Sequence, residues 1–247
     1  MADEIVYGVN PAKEALRGTR KAFELFFAGE MKDKRLETLL KLAAEKGVPV
    51  RQRERRDLDR LCGTPHHQGV ALRVESFRYE EMEDIISSWR QRGEAGLMLL
   101  LDSIQDPHNL GALIRSAACA GADAVIIPKD RAAGVTATVE KASAGAVETI
   151  SIAQTTNLVQ SMERLKQEGF WLYGLAGDSG YSLYDQSFTG NVALVIGGEG
   201  EGLRPLVRRS CDVVAAIPLQ GGVGSLNASV AGGIGLFEVV RQRMRSR

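Results

Sequence analysis

Three polar, glycine-rich stretches in the C-terminal half of this chain carry residue types that can do chemistry. The first runs from Asp106 through Asn109, Leu110 and Gly111 to Arg115. The second is Gly197-Gly198-Glu199-Gly200-Glu201-Gly202, and the third is Gly224-Ser225-Leu226-Asn227-Ala228-Ser229. Each follows a short apolar run that reads as a buried strand, and polar chain at strand ends is where folds place binding groups. Three such ends, far apart in sequence, point to one composite site holding amides, a hydroxyl, carboxylates and a guanidinium.

The glycine loops are poor phosphate cradles. A dinucleotide fold would put G-x-G-x-x-G after the first strand of its unit, where this chain has Asp102-Ser103-Ile104-Gln105-Asp106. Glu199 and Glu201 would repel a pyrophosphate, and no Lys-Ser/Thr follows them, which excludes a P-loop. Glycine allows positive φ and close contact, so these loops fit as backbone surfaces approaching a small cofactor. Tight strand–helix turns are the plainer alternative. Ser225, Asn227 and Ser229 are likewise good helix caps, yet a helix opening with them also presents several polar side chains to one point. Arg115 stands among Leu113, Ile114, Ala117 and Ala118, a placement that costs energy unless it is paired or faces a site. An ion pair with Asp106 or Glu199 is the structural alternative.

The 247 residues are 44% hydrophobic and 25% charged, ordinary for a soluble globular protein with one large domain or two modest ones. No apolar run approaches the ~20 residues of a membrane helix. Met1-Ala2-Asp3-Glu4 is acidic and lacks a signal segment, so a cytoplasmic protein is expected. Cys62, Cys119 and Cys211 are odd in number and widely spaced, which suits reduced thiols better than a disulfide framework or a zinc site. His66, His67 and His108 lack ligand spacing, and no metal is expected. Net charge is zero, but residues 1–75 hold 15 Lys/Arg against 12 Asp/Glu. Arginines cluster at Arg51, Arg53, Arg55 and Arg56, at Arg204, Arg208 and Arg209, and at Arg241, Arg243, Arg245 and Arg247. Such clusters neutralise phosphates or form solvated helix faces.

The elements that must position these groups follow a regular pattern. Residues 1–75 read as a small α/β unit. It starts with a turn-rich segment at Ile5–Pro11, with Asn10 capping a helix to about Arg17. A strand at 24–28, a helix at 34–46, a brief edge strand at 48–50, a helical turn at 57–61 and a closing strand at 70–74 follow. Residues 76–96 read as a linker holding an amphipathic helix, with Met82, Ile85, Ile86 and Trp89 at helical spacing. From 97 to 247 strands alternate with helices. Strands are expected at 97–101, 124–127, 149–152, 171–175, 192–196 and 213–217. Helices are expected at 111–120, 136–144, 158–168, 205–210 and 226–245. Continuous apolar strands in this alternation predict a parallel sheet covered on both faces.

At the three polar stretches the sequence resembles the SpoU (TrmH-type) RNA ribose methyltransferases of the SPOUT superfamily. The likeness rests on Asn109-Leu110-Gly111 with Arg115, on Gly198–Leu203, and on Ile217-Pro218-Leu219 followed by Ser225–Ser229. Tyr7–Pro11, Glu14-Ala15-Leu16 and His67–Val70 are similar to the small ribosomal-protein-like (L30e-type) substrate-binding domain at the front of several members. The resemblance implies an α/β fold whose catalytic domain ends in a trefoil knot, S-adenosyl-L-methionine as cofactor, and a homodimer formed through the catalytic domain. In that dimer the small residues of 230–237 would pack closely. It implies methylation of a ribose 2′-hydroxyl in RNA: a guanosine of 23S rRNA, or alternatively a tRNA site, with a catalytically inactive RNA-binding protein as a further alternative. Asn109, Arg115, Glu199, Ser225 and Asn227 are then the catalytic set, and Gly197, Gly198, Ile217, Leu219 and Leu226 hold the cofactor. Arginine is effectively always protonated. The proton of the attacking hydroxyl therefore either goes to an unusually perturbed Arg115, or is removed with the help of a phosphate bound by Arg115 or of Ser225.

Overall fold

A computed structural model describes residues 3–29, 34–222 and 224–245. Met1, Ala2 and Arg247, which figure in the readings above, lie outside the described residues. The chain forms two compact units, one of residues 1–78 with 135–149 and one of 79–134 with 150–247. The elements in chain order begin with β1 (Asp3–Tyr7), α1 (Val9–Arg17), β2 (Ala22–Phe27), α2 (Lys34–Glu45), β3 (Val50–Gln52), α3 (Arg55–Cys62) and β4 (Val70–Glu75). There follow α4 (Met82–Arg92), β5 (Leu97–Asp102), α5 (Pro107–Cys119), β6 (Ala124–Pro128), α6 (Ala137–Ala142), β7 (Ser151–Thr155), α7 (Leu158–Gln167) and β8 (Trp171–Leu175). Last come β9 (Val192–Gly197), α8 (Pro205–Ser210), β10 (Val213–Ala215) and α9 (Ala228–Arg245).

The smaller unit is a four-stranded sheet in the order β1-β4-β2-β3. β4 runs antiparallel to β1 and β2, and β3 parallel to β2. Val6, Leu16, Leu25, Leu39 and Leu72 fill its core. The segment expected as turn-rich is instead a strand as far as Tyr7, because Ile5, Val6 and Tyr7 pair across to Arg73, Leu72 and Ala71. The helix starts at Val9 with Gly8 in the capping position, so Asn10 lies inside the first turn and does not cap it. Residues 135–149 join this unit rather than the larger one. Arg20 binds Glu140 at 2.6 Å and also pairs with Glu4 and Glu148. Burial pushes the Glu140 carboxyl up to about 7, against the pull of Arg20.

The larger unit is a six-stranded, all-parallel sheet in the order β10-β8-β9-β5-β6-β7. Every residue of β5 and β9 is buried, as strands covered on both faces must be. One face packs against α4, α7 and α8 through Ile86, Trp89, Met162, Leu165 and Val207. The amphipathic helix at 82–92 is therefore core, not free linker: its Trp89 ring lies 4.6 Å from that of Phe170. The other face carries α5 and α9. Gly232 of α9 meets Leu113 of α5 so closely that a Cβ there would sit 2.3 Å from the leucine methyl. The small residues of α9 thus serve contacts inside the chain. Its exposed apolar residues are Val230, Phe237 and Met244, seven residues apart. Arg243 pins the far end of α9, donating to the carbonyls of Ala95, Gly96 and Gly190 at 2.7–3.0 Å. No helix among the described residues is long and apolar enough to cross a membrane.

Candidate active site

The strand order reverses direction between β5 and β9, and ligands of open α/β sheets bind beyond the carboxyl ends of strands at such a point. There Asp102, the last residue of β5, stands beside Gly197, the last residue of β9. Three chain segments leave this end: 103–106 into α5, 198–204 into α8, and 216–227 from β10 into α9. They are the three stretches singled out from the sequence.

The loop after β9 turns back on itself, with Gly202 N–H donating to Gly198 C=O at 3.1 Å. It lies directly on the chain after β5. A Cβ at Gly198 would stand 2.5 Å from the Ser103 carbonyl oxygen, so the loop approaches this closely only as glycine. An ion pair on a buried carboxylate fixes its far end. Asp102, wholly inaccessible to solvent, accepts from Arg204 N–H at 2.7 Å and from Arg204 Nε at 2.6 Å. Neither residue was singled out as catalytic from sequence. A lone carboxylate ending an otherwise apolar strand was the available signal.

Asn109, Glu199 and Asn227 meet in a closed triangle. Asn109 Nδ2 donates to Glu199 Oε1 at 2.5 Å, and Asn227 Nδ2 donates to Glu199 Oε1 at 2.9 Å and to Asn109 Oδ1 at 3.0 Å. Asn227 also caps α9: its Oδ1 accepts from Ser229 N–H at 2.9 Å and Val230 N–H at 3.3 Å. The capping and site readings of Asn227 therefore both apply. Glu199 binds neighbouring amides, not Arg115.

Two cavities meet at this triangle. A cleft of about 590 Å³ is lined by Gly197, Gly198, Ile217, Leu219, Ser225 and Leu226, together with Glu199 and Asn227. A second cavity of about 340 Å³ lies between the start of α5 and the 198–204 loop, and Asn109 lines it. Gly198, Glu199, Glu201 and Gly202 belong to both and form their common wall. Every predicted site residue but one is thereby gathered at one place. Arg115 lines neither cavity. It is exposed on α5 and makes no side-chain hydrogen bond or ion pair among the described residues, so neither Asp106 nor Glu199 is its partner.

The arginine clusters divide similarly. Arg204 pairs with Asp102, Arg208 with Asp178 at 2.7 Å and Arg241 with Glu238 at 2.7 Å. Arg51 pairs with Glu24, whereas Arg53, Arg55 and Arg56 are exposed on the smaller unit's surface and make no side-chain hydrogen bond or ion pair among the described residues. Burial pushes the Cys62 and Cys211 thiols up, to about 11 and about 12, so neither is poised as a nucleophile.

The larger cleft suits a methyl-donating sulfonium cofactor. Large apolar side chains, Leu219 and Leu226, line it and stand 38% and 36% exposed, the kind of surface on which an adenine ring packs. Glu199, Glu201 and Asp178 line it against one guanidinium, that of Arg208, already paired. That balance favours a cation and disfavours a phosphate.

Residues 96–237 match the SpoU rRNA Methylase family, and residues 5–80 match the family described as RNA 2′-O ribose methyltransferase substrate binding. The chain is 44% identical over 239 residues to the 23S rRNA (guanosine-2′-O-)-methyltransferase RlmB of Xylella fastidiosa (strain Temecula1), covering 96% of each chain. It is 43% identical over 244 residues to the protein of the same name in Escherichia coli (strain K12), covering 97% of this chain and 99% of that one. Among solved structures, the SpoU methyltransferase AviRb from Streptomyces viridochromogenes in complex with AdoMet superposes with a TM-score of 0.82 at 26% identity. That superposition covers 98% of this chain and 91% of AviRb.

Proposed function

The chain belongs to the SpoU rRNA methylase family, and from that premise we propose that it methylates the ribose 2′-hydroxyl of a guanosine in 23S rRNA, using S-adenosylmethionine. One observation carries this reading: the Asn109–Glu199–Asn227 triangle forms part of the wall between a cleft fit for the cofactor and a second, polar cavity. Backbone at Gly197, Gly198, Ile217, Leu219 and Leu226 holds the cofactor. S-adenosylmethionine bound there supplies an electrophilic methyl group.

The protein must orient a weak nucleophile and accept its proton. Glu199 Oε1 is engaged by two amides, which leaves Oε2 to accept a hydrogen bond from the ribose hydroxyl. Asn109 and Asn227 hold the carboxylate in place, and Ser225 at the cleft edge contacts the ribose. Arg115, exposed and uncommitted, receives an RNA phosphate, which fits a permanently protonated side chain better than a base role does. Arg53, Arg55 and Arg56 give the smaller, L30e-type unit a basic surface for the RNA backbone. The 216–227 segment closes a trefoil knot over the cofactor. Val230, Phe237 and Met244 form the apolar stripe of a homodimer interface, in a protein working in the cytoplasm.

The test is transfer of radiolabelled methyl groups to total RNA, followed by mapping of the modified nucleotide. Label on a 23S rRNA guanosine is expected. Label confined to tRNA would move the assignment to the tRNA branch, and no transfer together with no cofactor binding would leave an RNA-binding protein. Arg115→Ala is expected to abolish turnover with cofactor affinity retained.

A further inference from the structure

The second cavity has a lining that is unusual for an RNA enzyme. Asp106, Glu199 and Glu201 face it against a single guanidinium, Arg204, which is already neutralised by Asp102. Such a lining repels phosphate. It suits a neutral group rich in hydrogen-bond donors.

We propose that this cavity seats the target guanine, with Glu201 reading its N1–H and N2–H donors and Arg204 reading its O6 and N7 acceptors. The assignment rests on the function proposed above. Displacement at a methyl carbon brings the nucleophile in opposite the leaving group. With the methyl donor in the 590 Å³ cleft, a ribose held at Glu199, where the two cavities meet, can put its hydroxyl against the methyl carbon and its base into the 340 Å³ cavity. That volume is at the lower end of the roughly 300–1,000 Å³ of small-ligand sites, enough for one unstacked base. RNA enzymes and binders commonly read such splayed bases on their hydrogen-bonding edges.

The commitments of the lining residues single out the two readers. Asp106 Oδ1 caps α5 by accepting from His108 N–H at 3.1 Å, and Glu199 Oε1 is held by two amides. Glu201 is exposed and makes no side-chain hydrogen bond among the described residues, so both its oxygens are available. A carboxylate accepts the adjacent N1–H and N2–H of guanine together. Adenine would turn its N1 lone pair toward it, and uracil would flank its one donor with two carbonyls. Arg204 has its Nε and backbone N–H fixed on Asp102. Its two terminal nitrogens remain, the fork that pairs with guanine O6 and N7. Asp102 is a positioning residue, acting only through Arg204.

The experiment pairs altered substrates with altered protein. Methyl transfer is measured as kcat/KM on 23S rRNA fragments carrying guanosine, inosine (no N2 amino group) or 7-deazaguanosine (no N7) at the modified position. With the unaltered protein, each analogue is expected to lose about ten- to a hundredfold. Glu201→Gln should lose a similar factor on guanosine and little more on inosine, and Arg204→Ala should show the same coupling with 7-deazaguanosine. A variant that merely disturbs the fold lowers all three substrates by one factor. Penalties that multiply independently would therefore overturn the base assignment while leaving the methyltransferase reading intact. Failure of the unaltered protein to methylate any guanosine would instead remove the functional reading, and this assignment with it.

Discussion

Two polar clusters in this protein are built alike and sit differently. In the larger unit Asn109, Glu199 and Asn227 converge across up to 118 residues of chain. In the smaller unit Arg20 gathers Glu4, Glu140 and Glu148 across up to 128. The first cluster opens on two cavities. The second is sealed, with side chains of Glu140 and Glu148 only 3% and 5% exposed, and it binds residues 135–149 to the sheet of β1–β4. Polar residues brought together from afar do not by themselves make an active site. Access does. In the sealed cluster the polar groups pair with one another and fix a chain segment, and the two atoms left without a partner among the described residues, Arg20 Nε and Glu140 Oε2, are buried beyond a substrate's reach; in the open one an acceptor stands where a substrate can reach.

Removing one member of each cluster should separate the two roles. The largest effect is expected from Arg20→Ala, which strands three carboxylates without their cation. Breaking a buried pair by removing one partner costs about 3–5 kcal/mol. Denaturant unfolding should show that loss, while S-adenosylmethionine binding to the folded protein is unchanged. If methyl transfer failed and stability held, the sealed cluster would be functional after all. Glu199→Gln should do the reverse. It keeps the size of the side chain but removes the charge that accepts from both amides, and a lost electrostatic group at a reacting centre costs roughly 10²–10³ in kcat. Thermal unfolding should move little, since surface substitutions fall within about ±0.5 kcal/mol. A large drop in melting temperature would make the triangle a structural clasp.

The two clusters also differ in how far the sequence disclosed them. The strand-end motifs of the open site were legible because each follows an apolar strand; β8 stands where its run predicted to the residue, β5, β6 and β9 to within one, while β7 starts two residues later than expected and runs on to Thr155, and β10 stops two residues short, at Ala215. The sealed cluster left no such trace. Arg20 sits in a turn, and nothing local in 136–144 distinguishes a helix docking on the first unit from one covering the second sheet. That choice is made by Arg20, 120 residues away in the chain. Strand β1 was hidden by the glycine, asparagine and proline that follow it, although the pairing partner, β4, was itself predicted. Arg115 erred the other way. Its apolar neighbours suggested burial, but Leu113, Ile114 and Ala117 are buried while Arg115 is exposed. At 100° per residue a helix turns adjacent positions to different surroundings. The Asp102–Arg204 clamp, like the sealed cluster, joins residues too far apart for spacing to reveal.

Proton uptake offers a smaller and more specific test of the sealed cluster. Burial raises the Glu140 carboxyl to about 7 in the folded protein, with Arg20 opposing and Glu4 and Glu148 reinforcing the rise. The unfolded chain has it near the ordinary 4.5. A group whose pKa is raised on folding contributes stability that is full below the unfolded value and is lost as pH rises through the folded one. The smaller unit should therefore be more stable at pH 4.5 than at pH 8 as far as this group is concerned, by about 1–3 kcal/mol. Glu140→Gln should flatten that part of the profile. A profile between those pH values that is the same with and without the substitution would show that Arg20 holds Glu140 ionised throughout.

The finest distinction falls on Asn227, the one residue that belongs to both kinds of role. Its Oδ1 caps α9 and its Nδ2 completes the open triangle. Serine keeps an oxygen able to cap a helix but has no amide to reach Glu199, whereas alanine has neither. Loss of a cap costs about 1 kcal/mol, so Asn227→Ala should be less stable than Asn227→Ser by about that amount in thermal unfolding. The two should lose methyl transfer to the same extent, because the amide is missing from both. If activity instead followed stability, with serine well above alanine, the contribution of Asn227 to the site would be the placement of α9, and the triangle would reduce to the Asn109–Glu199 pair.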